Sequence, residues 1–365
     1  MDSKLSLFTP GPLQVSERVK ESVRRSDLVH RGYVFGDILS DLQKKFLQVL
    51  ELDNDYFPVF FTATGRGVNE AMITPYVLSK NPLIVSNGSW GDNLIKIAEY
   101  HRKDISRLEL PKDKKIDPRK IDAALAADPA IDTLIVVHSE TRSGILNPLE
   151  EIGELAKKHN LTLLVDAMSS AVVGKIDFKK IGVSLFTTSS AKGLRSFPGL
   201  GIVCGIVEEF ERTKHYKKAS HYFDIYDEFD RQKNHGEVRF AQSPVLFVAL
   251  QEAVDEILEE GIDNRRRLIV DRTNDFRKWA TENGLMFSYD PREFGYAVTT
   301  FTLPIGQTYR SFKSALVAHN IFLLYGDGYH GNQFQVSFLG AIHDVEIENL
   351  KQKLLDFMRK TNNIS

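Results

Sequence analysis

Four short stretches of this chain hold residue types that can do chemistry together. In Ser189-Ser190-Ala191-Lys192-Gly193, Lys192 stands between small residues in a stretch that is otherwise apolar. Such surroundings lower a lysine's affinity for its proton and make the amine a nucleophile towards aldehydes. Earlier in the chain, Asp166 follows the apolar run Leu161–Val165 and precedes Ala167-Met168-Ser169-Ser170. A carboxylate at the end of a buried strand is costly unless a cation pairs with it, and a protonated pyridine nitrogen is one such cation. Earlier still comes Thr62-Ala63-Thr64-Gly65-Arg66-Gly67. Its glycines let backbone N–H groups approach an anion, and the following helix N-terminus favours negative charge. In Ser86-Asn87-Gly88-Ser89-Trp90-Gly91, a glycine-flanked Trp90 can stack on a flat ring. Taken alone, each has a plainer reading: an ordinary strand-to-helix turn, a helix-capping Asp, a surface lysine, a packing Trp. What joins them is their order, with an anion-binding turn, then a strand-end carboxylate, then a lysine one strand further along.

A sheet must position these groups. Phe57–Phe61, Leu83–Ser86, Thr133–Val137, Leu161–Val165, Leu185–Thr188 and Gly201–Ile206 are short, β-rich apolar runs without regular alternation. That pattern predicts strands buried on both faces of a mostly parallel sheet. Helical stretches lie between them, at Val68–Leu78, Asp92–Tyr100, Pro118–Leu125 and Leu149–Lys158, where Ile152, Leu155 and Ala156 share a face. Strand–helix alternation of this kind predicts a doubly wound α/β domain, and all four motifs then fall at the carboxyl ends of its strands, where ligands bind. Beyond about residue 260 the texture changes to α+β. A charged helix over about Asn264–Glu282 is followed by strands at Met286–Tyr289, Tyr296–Leu303, Ile321–Tyr325 and Phe334–Phe338. A last helix, capped by Asp344, carries the stripe Ile347, Leu350, Leu354 and Phe357. The expected division is an N-terminal segment (1–20) packing on the small domain, a large domain (21–260) and a small C-terminal domain (261–365).

Composition narrows the function. With 365 residues, 42% hydrophobic and 26% charged, the chain can bury a sizeable core. Its 47 basic and 49 acidic side chains leave a net charge of −2, with no basic excess to recruit nucleic acid. The single Cys204 can form neither an internal disulfide nor a thiolate metal site, so a reducing compartment such as the cytoplasm is expected. No apolar leader follows Met1, and no segment has the roughly 18 apolar residues of a membrane span. His215, His221 and His235 show no compact ligand spacing, so no metal is expected. A nicotinamide-binding fingerprint is disfavoured because Gly199-Leu200-Gly201 leads into a strand and Thr64–Gly67 lacks a third glycine.

At the motif residues the sequence resembles the class V, fold-type I, pyridoxal-phosphate (PLP)-dependent aminotransferases. Phe8-Thr9-Pro10-Gly11-Pro12 is similar to the family's opening signature and His30-Arg31 to its short His-Arg motif. Four stretches resemble the branch acting on 2-aminoethylphosphonate and pyruvate, more than the alanine–glyoxylate branch. They are His138-Ser139-Glu140-Thr141 leading to Gly144–Pro148, Val165–Ser170, Ser86-Asn87-Gly88, and Asn234-His235-Gly236 with Arg239-Phe240. The resemblance implies a large PLP-binding α/β domain, a small C-terminal domain and a homodimer with sites at the interface. It also implies roles. Lys192 matches the Schiff-base lysine and general base, and Asp166 the partner of the ring nitrogen. Thr64, Gly65 and Arg66 match the phosphate turn, Trp90 the stacking aromatic, and Thr141 the hydroxyl on the ring oxygen. The segment Phe240–Pro244 would approach the partner's cofactor phosphate; where relatives often carry Thr, this chain has Ala241-Gln242-Ser243, leaving Ser243 to serve.

One departure bears on the substrate. The family presents an arginine to the substrate's acid group from a small-domain strand, and here Gln335 stands at that place. Gln cannot make a bidentate charged contact, and losing one costs roughly 1.5–3 kcal/mol. Arg66, Arg142 and Arg195 lie in loops expected to line the site, so acid recognition is expected to have moved to them; the alternative is that they pair with surface carboxylates. The leading expectation is amino transfer from 2-aminoethylphosphonate to pyruvate. Two others stand beside it: an amino-acid transaminase using glyoxylate or pyruvate, and a PLP lyase or decarboxylase, which Gln335 keeps open.

Overall fold

The computed structural model describes residues 5–25, 27–325 and 331–362. A seven-stranded sheet runs in the order Tyr56–Thr62, Leu200–Ile206, Leu185–Ser189, Thr162–Asp166, Thr133–Val137, Pro82–Ser86, Ser106–Glu109. Only Leu200–Ile206 runs against its neighbours; the other pairings are parallel. Successive side chains on a strand point to opposite faces, and the core divides accordingly. Leu134 and Val136 join one layer, with Phe46, Ile152 and Phe247, while Ile135 and Val137 join the other, with Met72, Leu94 and Phe229. Every residue of Pro82–Ser86, Thr133–Val137 and Leu185–Ser189 is buried, which is why these strands read as unbroken apolar runs. The seventh strand, Ser106–Glu109, lies at the sheet edge, its residues alternately half-buried and exposed. It offers no apolar run, and the sequence reading does not include it.

Helices cover both faces. Those following strands include Gly65–Ser79, Ser89–His101 and Leu149–Lys158; Tyr33–Val49, Ile225–His235 and Pro244–Glu260 add to the layers. Beyond the long helix Ile262–Glu282, an antiparallel sheet forms in the order Met286–Phe287, Thr299–Thr302, Gln333–Val336, Leu324–Tyr325. The expected strand Ile321–Tyr325 divides in two. Its first half, Ile321–Phe322, leaves that sheet to pair in parallel with Ser6–Leu7, so the N-terminal segment is stitched to the C-terminal region. Phe8 continues the stitch, its ring 6.1 Å from that of Phe338. The last helix, Asp344–Asn362, corrects one expectation, because Asp344 is its first residue and not its cap. The backbone N–H of His343 donates to the Glu346 carboxylate at 2.8 Å, while Asp344 pairs with Arg272 at 2.6 Å. Among the described residues, no helix is long and apolar enough to cross a membrane.

Candidate active site

A cavity of about 350 Å³ opens at the carboxyl ends of the parallel strands. Thr64, Gly65, Arg66, Trp90, Thr141, Asp166 and Lys192 all line it, joined by Asn69, Ser139, Met168, Ser169 and Ser189. Residues far apart in sequence meet because each strand or strand-following loop delivers its motif to the same edge.

At one end, helix Gly65–Ser79 begins at Thr64, whose side chain makes no capping bond. Its first-turn N–H groups therefore lack intrahelical partners and face an anion-sized space with a favourable dipole. The guanidinium of Arg66 lies 5.5 Å from the Trp90 ring centre. Trp90 sits in the first turn of helix Ser89–His101, held there by the buried Glu140. That carboxylate accepts the N–H groups of Trp90 at 3.0 Å and Gly91 at 2.7 Å. Burial pushes Glu140 up to about 7 against those two bonds. A Cβ at Gly88 would fall 2.4 Å from the Glu140 carboxyl carbon, so this approach requires glycine. The Trp90 indole N–H is buried without a partner among the described residues.

At the other end, Asp166 closes strand Thr162–Asp166 and is 3% exposed. Its carboxylate accepts from the Asn69 amide at 2.7 Å and from the Met168 N–H at 2.9 Å. Burial raises its pKa, while those two donors and the charge of Lys192 oppose the rise. Asn69 is itself oriented by the Thr187 hydroxyl, which donates to its carbonyl at 2.6 Å. Asn69 was not foreseen, because one Asn on a helix carries no signal until the strand opposite it is known. Lys192 donates from Nζ to the Pro10 carbonyl at 2.8 Å. Burial lowers its pKa to about 8, with Asp166 resisting. Gly11, at φ +145°, passes so close that a Cβ there would lie 2.8 Å from Nζ. The Phe8–Pro12 motif thus roofs the lysine.

The remaining expected site residues lie elsewhere. Gln335 is 3% exposed and turned away from the cavity lining, its amide donating to the carbonyls of Thr141 at 2.7 Å and Arg142 at 2.8 Å. It fastens the loop that carries Thr141, whose hydroxyl is 2.6 Å from that of Ser169. Gln335→Ala leaves both carbonyls without this donor and is expected to cost about 1–3 kcal/mol, read as a lowered thermal unfolding midpoint. Arg195 does not line the cavity: it is 7% exposed and donates to the Leu339 carbonyl. Arg142 does not line it either; its guanidinium lies 5.7 Å from the Tyr325 ring centre. Of the three arginines, the structure brings only Arg66 to the cavity. Ser243 occupies the cap position of helix Pro244–Glu260, its N–H donating to the Thr62 hydroxyl at 3.4 Å, outside the cavity of this single chain.

Known proteins agree with this arrangement. The model of the family "Aminotransferase class-V" matches residues 13–322. A 2-aminoethylphosphonate–pyruvate transaminase of Phocaeicola vulgatus is 32% identical over 258 residues, covering 70% of this chain and 71% of that one. One from Bacteroides fragilis is 27% identical over 360 residues, covering 97% and 98%. Among solved structures, an alanine–glyoxylate aminotransferase of Nostoc sp. matches with a TM-score of 0.90 at 23% identity, over 98% of this chain and 96% of its own. A ureidoglycine–glyoxylate aminotransferase of Bacillus subtilis also reaches 0.90, at 20% identity over 99% and 95%. The two solved structures share the fold, and the family match spans both the cavity and most of the chain that frames it. The chain belongs to the class V aminotransferases and is a PLP-dependent transaminase.

Proposed function

We propose that this transaminase moves an amino group from 2-aminoethylphosphonate, or a similar small acidic amine, to pyruvate, with PLP held on Lys192. The observation that carries the substrate reading is Arg66, a guanidinium lining the cavity beside Trp90 while Gln335 is spent on the Thr141 loop. The names of the Phocaeicola and Bacteroides relatives point the same way.

The residues fit the cofactor. The unfilled helix turn at Thr64–Arg66 suits a phosphate, Trp90 offers an aromatic face, and the buried Asp166 suits a protonated ring nitrogen. Thr141 would contact the ring oxygen, and Ser243 the phosphate of a partner subunit in a homodimer. When bound, PLP supplies a ring that accepts the electron pair left at the amine-bearing carbon. The chain's residues do the rest. Asp166 keeps negative charge at the ring end. Lys192, with its pKa lowered to about 8, takes the proton from the donor carbon and returns it one atom away. Arg66 holds the donor's acid group and then the carboxylate of the keto acid.

The test is to mix the holoenzyme with 2-aminoethylphosphonate alone and follow the cofactor's visible absorption. A change reversed by pyruvate supports the proposal. Silence towards this donor with a response to alanine or serine moves the reading to an amino-acid transaminase, and release of ammonia or carbon dioxide moves it to a lyase or decarboxylase. Arg66→Ala is expected to lower kcat/KM for the phosphonate by about 10- to 150-fold, the size of one charge-assisted contact. A simple alkylamine without an acid group should lose little; equal losses for both amines would remove Arg66 from acid recognition.

A further inference from the structure

We propose that a second cavity, joined to the active site at Ser139 and Ser169, holds the water consumed by the reaction and delivers it to the reacting carbon. This cavity, of about 300 Å³, shares those two serines with the active-site cavity. His138 and Ser170 also line it; they are 7% and 4% exposed. Among the described residues, His138 Nδ1 and Ser170 Oγ have no hydrogen-bond partner. Burial lowers His138 to about 4, so near neutral pH its ring is uncharged and offers one N–H and one lone pair. Asn147, on the same cavity, is by contrast fully engaged: its amide donates to Asn87 and to the Val137 carbonyl, and its oxygen accepts from Asn87 and the Ile116 N–H. Buried polar atoms without partners are costly, and a polar space of this size meets the requirement for ordered water.

Transamination needs such a supply. The step that frees the keto product breaks a carbon–nitrogen bond with water; its oxygen goes to the carbon and both hydrogens to the nitrogen. The second half-reaction returns one water. While the donor fills the front cavity, bulk water is kept from that side, but the second cavity stays open. Its contents reach the reacting carbon past Ser169, whose hydroxyl is 2.6 Å from that of Thr141. The inference rests on the transaminase family and not on the choice of donor.

Gly174 gives a clean plug. It lines the second cavity, is absent from the positive-φ glycines, and a Cβ there meets nothing within 4 Å. Holoenzyme carrying Gly174→Phe is compared with wild type and Gly174→Ala, using 2-aminoethylphosphonate deuterated at its amine-bearing carbon. Two rates are followed: deuterium wash-out, which precedes the need for water, and appearance of the carbonyl product. The expected result is a product rate lowered by at least about 10-fold with wash-out changed by less than about twofold. Ser170→Val, which removes a hydroxyl and adds a methyl, is expected to act in the same direction. If wild type itself does neither reaction, the donor assignment has failed, and α-deuterated L-alanine takes its place in the same comparison. Crystals of the wild type are expected to show water on His138 Nδ1 and Ser170 Oγ. A dry cavity, or two rates that fall together or do not change in Gly174→Phe, overturns the proposal.

Discussion

Lys192→Ala is expected to lower turnover by at least about 1,000-fold, the range lost with a positioned proton carrier. The fold should survive, because Nζ makes one bond, to the Pro10 carbonyl, and the alanine leaves more room beneath Gly11. Added methylamine or ethylamine should restore part of the rate by entering the space left by the side chain; a lesion of the fold would not be rescued. The amine's state can be read without turnover, by reductive methylation of the apoprotein followed by mass spectrometry of the Lys192 peptide. Labelling is expected to rise with pH and flatten above about 8, well below the ordinary lysine value of 10.5. The sign for stability follows. A depressed lysine pKa penalises the folded apoprotein below about 8, and the penalty fades as pH rises towards 10.5. Lys192→Ala apoprotein should therefore unfold at a higher temperature than wild type at pH 7, by a margin that shrinks at pH 10.

Much of this site is legible in sequence because its chemistry needs rare placements. A lysine among small residues, a carboxylate ending an apolar run and a glycine turn before a helix are local signals, and Lys192, Asp166 and Gly65 meet in one cavity. Buried strands such as Thr133–Val137 are legible for the same reason, whereas the edge strand Ser106–Glu109 is half in water and carries no signal. What sequence hides is where long side chains go. Arg66, Arg142 and Arg195 look alike as loop cations, yet one lines the cavity, one lies over Tyr325 and one is buried against the Leu339 carbonyl. Gln335 reads as a lost substrate contact; its tertiary partners, the carbonyls of Thr141 and Arg142, lie nearly two hundred residues away. Glu140 stands inside a motif quoted for its family likeness, but its duty to the Trp90 helix appears only when the loops close.

Asp166→Asn is expected to lower turnover by roughly 100- to 1,000-fold, the loss that follows removal of one preorganised group facing developing charge. The substitution keeps the shape and removes the charge. It also disturbs the support, since the Asn69 amide and the Met168 N–H both donate to Asp166 and an Asn side chain has one oxygen for them. Asn69→Ala separates the two effects: it keeps the charge, removes one donor and should cost far less than Asp166→Asn. A second readout isolates the charge itself. Asp166 is the group that resists the lowering of the Lys192 pKa, so in Asp166→Asn apoprotein the methylation midpoint should fall below about 8. In Asn69→Ala that midpoint should stay closer to the wild-type value, because the carboxylate remains. A large turnover loss in Asp166→Asn with an unmoved midpoint would mean that the two groups do not sense each other, leaving Asp166 a structural part in place of an electrostatic one.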